Sequence, residues 1–136
     1  MTVLAVVAVT TAVVDLLTKR AVTARLVEGR LYGAGAWGLR RVHNLRGAVI
    51  PLSSSQALAM LAVTGGAIVA AVAASPPDVA VAAGLGMLLG GAAGNVIGRV
   101  RTGAVVDFVA AGPWPVFNLA DAAMVAGLLL ALRGVA

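Results

Sequence analysis

The chain contains no cysteine and only one histidine among its 136 residues. The lack of cysteine excludes disulfides, thiolate metal sites and cysteine nucleophiles. A single histidine argues against a histidine-rich metal site and against a Ser-His-Asp triad. Charged residues are also scarce, at 11% of the chain against roughly 25% in an average soluble domain. Because 61% of the residues are hydrophobic, the composition predicts a membrane protein rather than a soluble or disordered one.

Four apolar windows approach the length of about 20 residues that a transmembrane helix needs. They cover residues 2–17, 57–74, 79–97 and 116–132. The prolines of the Ser75-Pro-Pro-Asp78 segment predict a tight turn between the second and third windows. A cleaved signal peptide is the alternative for the first window, but a basic leading segment and an A-x-A-like cleavage site are both missing. We therefore predict a single four-span domain over residues 1–136.

Two polar loops connect these windows, at about residues 18–56 and 98–115. The first loop contains seven of the ten basic residues: Lys19, Arg20, Arg25, Arg30, Arg40, Arg41 and Arg46. Residues 18–32 fit an amphipathic interfacial helix, and residues 37–50 alternate enough to predict short strands. For most of these basic side chains we expect contact with water or with lipid headgroups.

Four crossings place the end of the first window, the end of the third and the start of the fourth in the same compartment. Four of the five acidic residues gather on that side: Asp15, Glu28, Asp107 and Asp121. Ionisable groups within spans cost several kcal/mol and usually mark a functional interior. Asp15 has an ordinary structural interpretation, an i,i+4 ion pair with Lys19. Asp121 has no Lys or Arg within helical reach, so that interpretation is weaker for it.

Two aspartates brought together in a low-dielectric site share a proton, because they cannot both ionise easily. The ionised member can then deprotonate water while the protonated member protonates the attacked group. This is the chemistry of an aspartic peptidase, and it requires no metal. Asp121 follows Asp107 by 14 positions, with Gly112, Pro113 and Pro115 between them. A loop of that length can bring the two carboxylates together, but so can many unrelated loops.

Five ordered motifs resemble the bacterial lipoprotein signal peptidase, or signal peptidase II, family. They are Asp15-Leu-Leu-Thr-Lys19, Asn44-Leu-Arg-Gly47-Ala48, Gly91-Ala-Ala-Gly-Asn95-Val-Ile-Gly-Arg99, Gly103-Ala-Val-Val-Asp107-Phe108 and Trp114-Pro-Val-Phe-Asn118-Leu-Ala-Asp121. One such motif would be weak, but five in the family's order on a four-span frame are specific. The chain therefore resembles a divergent member of that family.

This resemblance implies an all-α membrane protein of four transmembrane helices, with a small extracytoplasmic β-cradle and an interfacial helix in the first loop. It implies catalytic roles for Asp107 and Asp121. The residues that it assigns to substrate binding or support are Asn44, Asn95, Arg99, Asn118, Asp15, Lys19 and Gly47. Of these, Asp15 and Lys19 are expected to be structural supports.

The implied substrate is a prolipoprotein whose cysteine carries a diacylglyceryl group, cut just before that cysteine. The implied enzyme is a monomer of the bacterial cytoplasmic membrane, with its active site toward the outer face. Its partners are the substrate and membrane lipids, with no nucleic acid, no metal and no organic cofactor. The rule that cytoplasmic loops are rich in Lys and Arg would instead place the basic first loop inside the cell.

Three departures from the family pattern keep alternatives open. Gly98 stands where the family usually has an aspartate, the Asn44-to-Gly47 motif is one residue longer, and the segment between Asp107 and Asn118 is shorter than usual. One alternative is a degraded or specialised relative that binds or processes a narrower lipopeptide substrate. A second alternative is a small proton-coupled transporter or accessory subunit that uses Asp15 and Asp121 as proton relays.

Overall fold

Four helices follow the four predicted windows along the chain. The computed structural model describes residues 1–45 and 53–135. The helices are α1 (Thr2–Arg25), α2 (Ser54–Ala74), α3 (Val79–Thr102) and α4 (Leu119–Leu132), and a short 3-10 turn at Arg133–Val135 follows α4. The first three are long and apolar enough to cross a membrane, whereas α4 has 14 residues. The chain is thus a mostly helical, multi-pass membrane protein.

Helix α3 lies at the centre of the bundle, because glycines on two of its faces admit neighbouring backbones. A Cβ atom at Gly86 would lie 2.7 Å from the Leu4 carbonyl of α1. A Cβ atom at Gly91 would lie 2.6 Å from the Ala120 carbonyl of α4. Small residues allow this approach where lipid provides no hydrophobic drive between helices. Helix α2 packs against α3 at the edge of the bundle.

A three-stranded antiparallel sheet covers one end of the helices, in the order β1 (Leu31–Ala34), β2 (Trp37–Asn44) and β3 (Val105–Ala111). The strands β1 and β2 form a hairpin in the first loop. Strand β2 lies within residues 37–50, where short strands were predicted, whereas β1 precedes that segment. The register of β2 and β3 pairs Val42 with Asp107 and is irregular between Leu39 and Val42. Strand β3 joins α3 to α4, so the sheet connects both polar loops.

Two details of the prediction are wrong. The predicted interfacial helix over residues 18–32 is a continuation of α1 to Arg25, followed by β1 from Leu31. Helix α1 continues past residue 17 because Lys19 is buried in the bundle, where its ammonium donates to Asp15 and to Asn95 of α3. The third strand was not predicted, since the sheet was expected from the first loop alone. The sheet therefore contains two strands from the first polar loop and one from the second.

Candidate active site

Asp107 lies in the middle of β3 and is buried. Its Oδ1 accepts a hydrogen bond from Asn118 Nδ2 at 2.7 Å, and its Oδ2 accepts one from Asn44 Nδ2 at 3.1 Å. Burial raises the pKa of the Asp107 carboxyl above its ordinary value, and the nearby Asp121 charge raises it further. The hydrogen bonds from the two asparagines act in the opposite direction. Asp107 is therefore a carboxyl that retains its proton more readily than one in water.

Asp121 lies in the first turn of α4, at the third residue after the N-cap Asn118. Its Oδ2 accepts from the Asn118 backbone N–H at 3.1 Å, which completes a capping box with that residue. Its Oδ1 accepts from Asn95 Nδ2 of α3 at 2.8 Å. A carboxylate in a first turn is also favoured by the positive end of the helix dipole. Asp121 therefore both begins its helix and faces the site.

Asn118 links the two aspartates and is fully buried, with a relative exposure of 0%. In addition to its contact with Asp107, its Nδ2 donates to Asn95 Oδ1 at 3.0 Å, and its Oδ1 accepts from the Asp121 backbone N–H at 3.0 Å. The chain contains three asparagines, Asn44, Asn95 and Asn118, and all three belong to this network. Together they give a donor to each of the four carboxylate oxygens of the pair.

The ion pair that the sequence predicts between Asp15 and Lys19 is present in α1, with Nζ 2.6 Å from Oδ2. Both residues are buried. Asp15 Oδ1 also accepts from the Ala120 backbone N–H of α4 at 2.9 Å, and Lys19 Nζ donates to Asn95 Oδ1 at 2.7 Å. The pair therefore connects α1 to both helices that carry site residues.

The two aspartates line one cavity of about 380 Å³, shared with Asn44 and with the loop that leads into α4. The loop residues that line it are Trp114, Pro115, Val116 and Phe117. This loop folds back onto β3, because the Phe117 carbonyl accepts from the Val109 N–H at 2.7 Å. These four residues belong to the motif Trp114-Pro-Val-Phe-Asn118-Leu-Ala-Asp121, but the resemblance gives them no role. Their position directly before Asn118 is the sequence feature that could have indicated that they line the site.

A second, apolar cavity of about 450 Å³ begins at Phe117 and Asp121 and continues along α4. Its other lining residues are Ala122, Val125, Ala126 and Leu129. The two carboxylates thus adjoin a surface suited to an apolar group. Such an arrangement is able to activate a water molecule and to protonate a carbonyl next to it.

Arg99 lies outside this network in the part of the chain that the structure describes. Its Nη2 donates to the Leu45 carbonyl at 3.0 Å, so it supports the end of β2 next to Asn44. A Cβ atom at the neighbouring Gly98 would meet nothing within 4 Å. Gly47 lies outside the described residues. Across residues 1–45 and 53–135, acidic and histidine side chains form no group of three that could hold a metal ion.

Comparison with known proteins shows to which family the chain belongs and which solved structures share its fold. The family described as signal peptidase (SPase) II matches residues 7–135. A lipoprotein signal peptidase of Rhodococcus jostii (strain RHA1) is 53% identical over 55 residues, which are 36% of this chain and 28% of that protein. One of Pelotomaculum thermopropionicum is 57% identical over 47 residues, 35% of this chain and 31% of the relative. These alignments span less than a third of the curated relatives' length.

Two solved structures share the fold, both described as bacterial membrane enzymes determined by the in meso method. Their TM-scores are 0.82 and 0.81, at 22% sequence identity. Each similarity covers 96% of this chain and 85% or 90% of the other. The arrangement of four helices and a small sheet is therefore shared over nearly the whole chain.

Proposed function

The chain belongs to the signal peptidase II family, and we propose that it is an aspartic endopeptidase of the membrane. Its substrate is a diacylglyceryl-modified prolipoprotein, and the bond cut is the one before the lipidated cysteine. The observation that carries this proposal is the shared cavity of Asp107 and Asp121, in which three asparagines donate to all four carboxylate oxygens. The names of the relatives support the same activity.

We assign different roles to Asp107 and Asp121 because their surroundings differ. Because burial raises the pKa of Asp107, that residue is assigned the proton that the pair shares. Asp121 is then the ionised member and the general base. Two close carboxylates titrate as a unit, so this assignment describes the resting state of the pair.

The reaction then balances without a covalent intermediate. Asp121 takes a proton from a water molecule as its oxygen attacks the scissile carbonyl carbon, and Asp107 gives its proton to the carbonyl oxygen. The C–N bond of the resulting diol breaks while Asp121 returns a proton to the leaving nitrogen. Asp107 recovers its proton from a diol hydroxyl, which leaves a carboxylic acid and an amine. The asparagines fix both carboxylates throughout, so little reorganisation is needed.

The apolar cavity along α4 is suited to an apolar part of the substrate. Val125 and Leu129 line it, and it adjoins Asp121 directly. An acyl chain or an apolar peptide segment bound there would place its polar neighbour at the carboxylates. Membrane lipid would occupy the same surface in the absence of substrate.

The short helix α4 and the position of the aspartates bear on how the protein lies in the membrane. Helix α4 is about 21 Å long at 1.5 Å per residue, and the 3-10 turn adds to it, so it would complete a fourth crossing where the bilayer is locally thinned. We place the sheet and the aspartates at the outer face of a bacterial cytoplasmic membrane. The protein acts as a monomer.

A relative that binds lipidated signal peptides without cutting them is the second candidate, and Gly98 is the observation that favours it. The open space at this position means that an aspartate would fit without repacking. Arg99, however, donates to the Leu45 carbonyl. Its position therefore does not depend on a neighbouring carboxylate, and the peptidase remains the better proposal.

A gel-shift assay with purified protein and a diacylglyceryl-modified prolipoprotein tests the proposal. We expect cleavage by the wild type and none by Asp107→Asn or Asp121→Asn. Asp78→Asn is the matched control, since Asp78 caps α3 through the Val81 N–H at 2.9 Å and asparagine caps equally well. Cleavage that survives in Asp107→Asn would refute the aspartic mechanism. Binding without cleavage by the wild type, restored to cleavage by Gly98→Asp, would favour the second candidate.

A further inference from the structure

Lys19 reaches the catalytic pair through one intervening side chain. Its side chain is buried, with a relative exposure of 5% for the residue. The ammonium donates to Asp15 Oδ2 at 2.6 Å and to Asn95 Oδ1 at 2.7 Å. Asn95 then donates through Nδ2 to Asp121 Oδ1 at 2.8 Å. A residue on α1 is thus connected to the proposed general base on α4.

The chemistry of these neighbours leaves Asn95 only one favourable orientation. A side-chain amide accepts at its oxygen and donates at its nitrogen, and the two ends exchange on a flip. An ammonium only donates and an ionised carboxylate only accepts. With Lys19 on one side and Asp121 on the other, a flipped amide would place donor against donor and acceptor against acceptor.

Lys19 contributes more to this orientation than the second donor to Asn95 Oδ1 does. That second donor is Asn118 Nδ2, at 3.0 Å, a neutral group at a longer distance. Hydrogen bonds with a charged partner are roughly twice as strong as neutral ones. Asp15 compensates the buried ammonium, so the charge is retained inside the bundle.

We propose that Lys19 is a positioning residue for the cleavage reaction: it orients the Asn95 amide so that its nitrogen faces Asp121. This role goes beyond structural support of the helices, and it rests on the proposed function. Loss of the ammonium should release the amide and leave Asp121 Oδ1 without a fixed donor, while Oδ2 keeps the Asn118 backbone N–H. The effect should therefore fall on the chemical step rather than on substrate binding.

The absence of cysteine from the chain permits a test by chemical rescue. In Lys19→Cys, alkylation with 2-bromoethylamine restores an ammonium at nearly the length of lysine, whereas 1-bromopropane adds an uncharged group of similar size. Mass spectrometry verifies each adduct. The exposed neighbour Arg20, as Arg20→Cys with the same treatments, is the matched control.

With a diacylglyceryl-modified prolipoprotein, we expect kcat of Lys19→Cys and of its propyl adduct to fall at least tenfold, with KM within about twofold of wild type. The aminoethyl adduct should recover at least half of the wild-type kcat. Every form of the Arg20→Cys control should match wild type. Equal recovery by the propyl adduct, or a change confined to KM, would overturn the positioning role.

A readout without activity separates this inference from the proposed function. Selective ¹⁵N-asparagine labelling gives three side-chain amide signals, all from the site, because the chain has three asparagines. In Lys19→Met we expect the Asn95 signal to move while the Asn44 signal stays. The charge-neutral double variant Asp15→Asn/Lys19→Met, which leaves no unpaired buried carboxylate, should show the same movement. An unmoved Asn95 signal in both variants would contradict the inference, even if wild type cleaved no substrate and the proposed function were wrong.

Discussion

Asn118 combines two roles, since it caps α4 and hydrogen-bonds to both aspartates. In Asn118→Ala, the loss of the cap and of the buried partners of Asp107 and Asn95 should lower the free energy of unfolding by about 2–4 kcal/mol. Cleavage should fall below detection. Thermal denaturation in detergent and the gel-shift assay check the two effects.

Ser53 offers the matched control at the residue scale. It caps α2 with the same kind of capping box, formed with Gln56, and its other side-chain partner is Ser55 rather than an aspartate. Ser53→Ala should lower stability by about 1 kcal/mol. Its kcat/KM should stay within threefold of wild type. An Asn118→Ala protein that behaved like Ser53→Ala would show that Asn118 is only a cap.

The titration of Asp107 gives the stability of the protein a defined dependence on pH. Burial raises the pKa of this carboxyl in the folded state above the roughly 3.9 of an unfolded aspartate. The folded state therefore binds the proton more tightly, and the resulting stability is complete below the unfolded pKa and lost as pH rises through the folded pKa. The thermal midpoint in detergent should fall over that interval. In Asp107→Asn this fall of the thermal midpoint with pH should be missing. If the variant lost stability with pH as steeply as wild type, Asp107 would not be the titrating group.

At the scale of elements, the glycine faces of α3 explain how closely α1 and α4 approach at the site. Gly94 lies opposite Asp15, and a Cβ atom there would lie 2.5 Å from Asp15 Oδ2. Gly94→Ala should therefore displace the Asp15–Lys19 pair, lower stability by about 1–3 kcal/mol and reduce kcat/KM at least tenfold. At Gly98, four residues further along the same helix, an added Cβ atom meets nothing within 4 Å. Gly98→Ala should therefore change neither the stability nor kcat/KM by a measurable amount. Equal effects of the two substitutions would mean that close approach of α3 to α1 is not what the site requires.

The elements that could be predicted are those whose signals are local. The Ser75-to-Asp78 turn separates α2 from α3 because two consecutive prolines cannot continue the hydrogen bonding of α2. The ends of α1 and α3 were harder to predict from the local sequence. Hydropathy falls at residue 18, yet α1 continues to Arg25 because Lys19 is buried and its ammonium donates to Asp15 and to Asn95 of α3. Strand β3 pairs with a strand more than 60 residues earlier, and no local pattern reports such pairing.

The site could be predicted in part for the same reason. Counting crossings was enough to gather Asp15, Asp107 and Asp121 at one end of the bundle. The individual hydrogen bonds were not predictable, because they depend on the distances between α1, α3 and α4 that the glycines permit. Arg99 illustrates this limit: the resemblance to the family gives it a binding or supporting role, and only the structure supplies its partner, the Leu45 carbonyl next to Asn44.

At the scale of the whole molecule, the basic first loop poses a problem of orientation. Excess Lys and Arg ordinarily mark cytoplasmic loops, whereas our proposal places this loop outside. Single cysteines at Ser55 and Ser75, both exposed and at opposite ends of α2, report on the question in a chain that has no other cysteine. A membrane-impermeant maleimide should label Ser55→Cys in spheroplasts and Ser75→Cys only after permeabilisation. The reverse pattern would place the aspartates on the cytoplasmic side.

The central claim is that Asp107 and Asp121 act as one catalytic unit, and a double-variant comparison of kcat/KM tests it most directly. Each of Asp107→Asn and Asp121→Asn should lower kcat/KM for a diacylglyceryl-modified prolipoprotein by about 10³-fold or more, and the double variant should be no worse than the poorer single variant. Independent losses that multiply in the double variant, or a single variant within tenfold of wild type, would contradict a shared-proton pair.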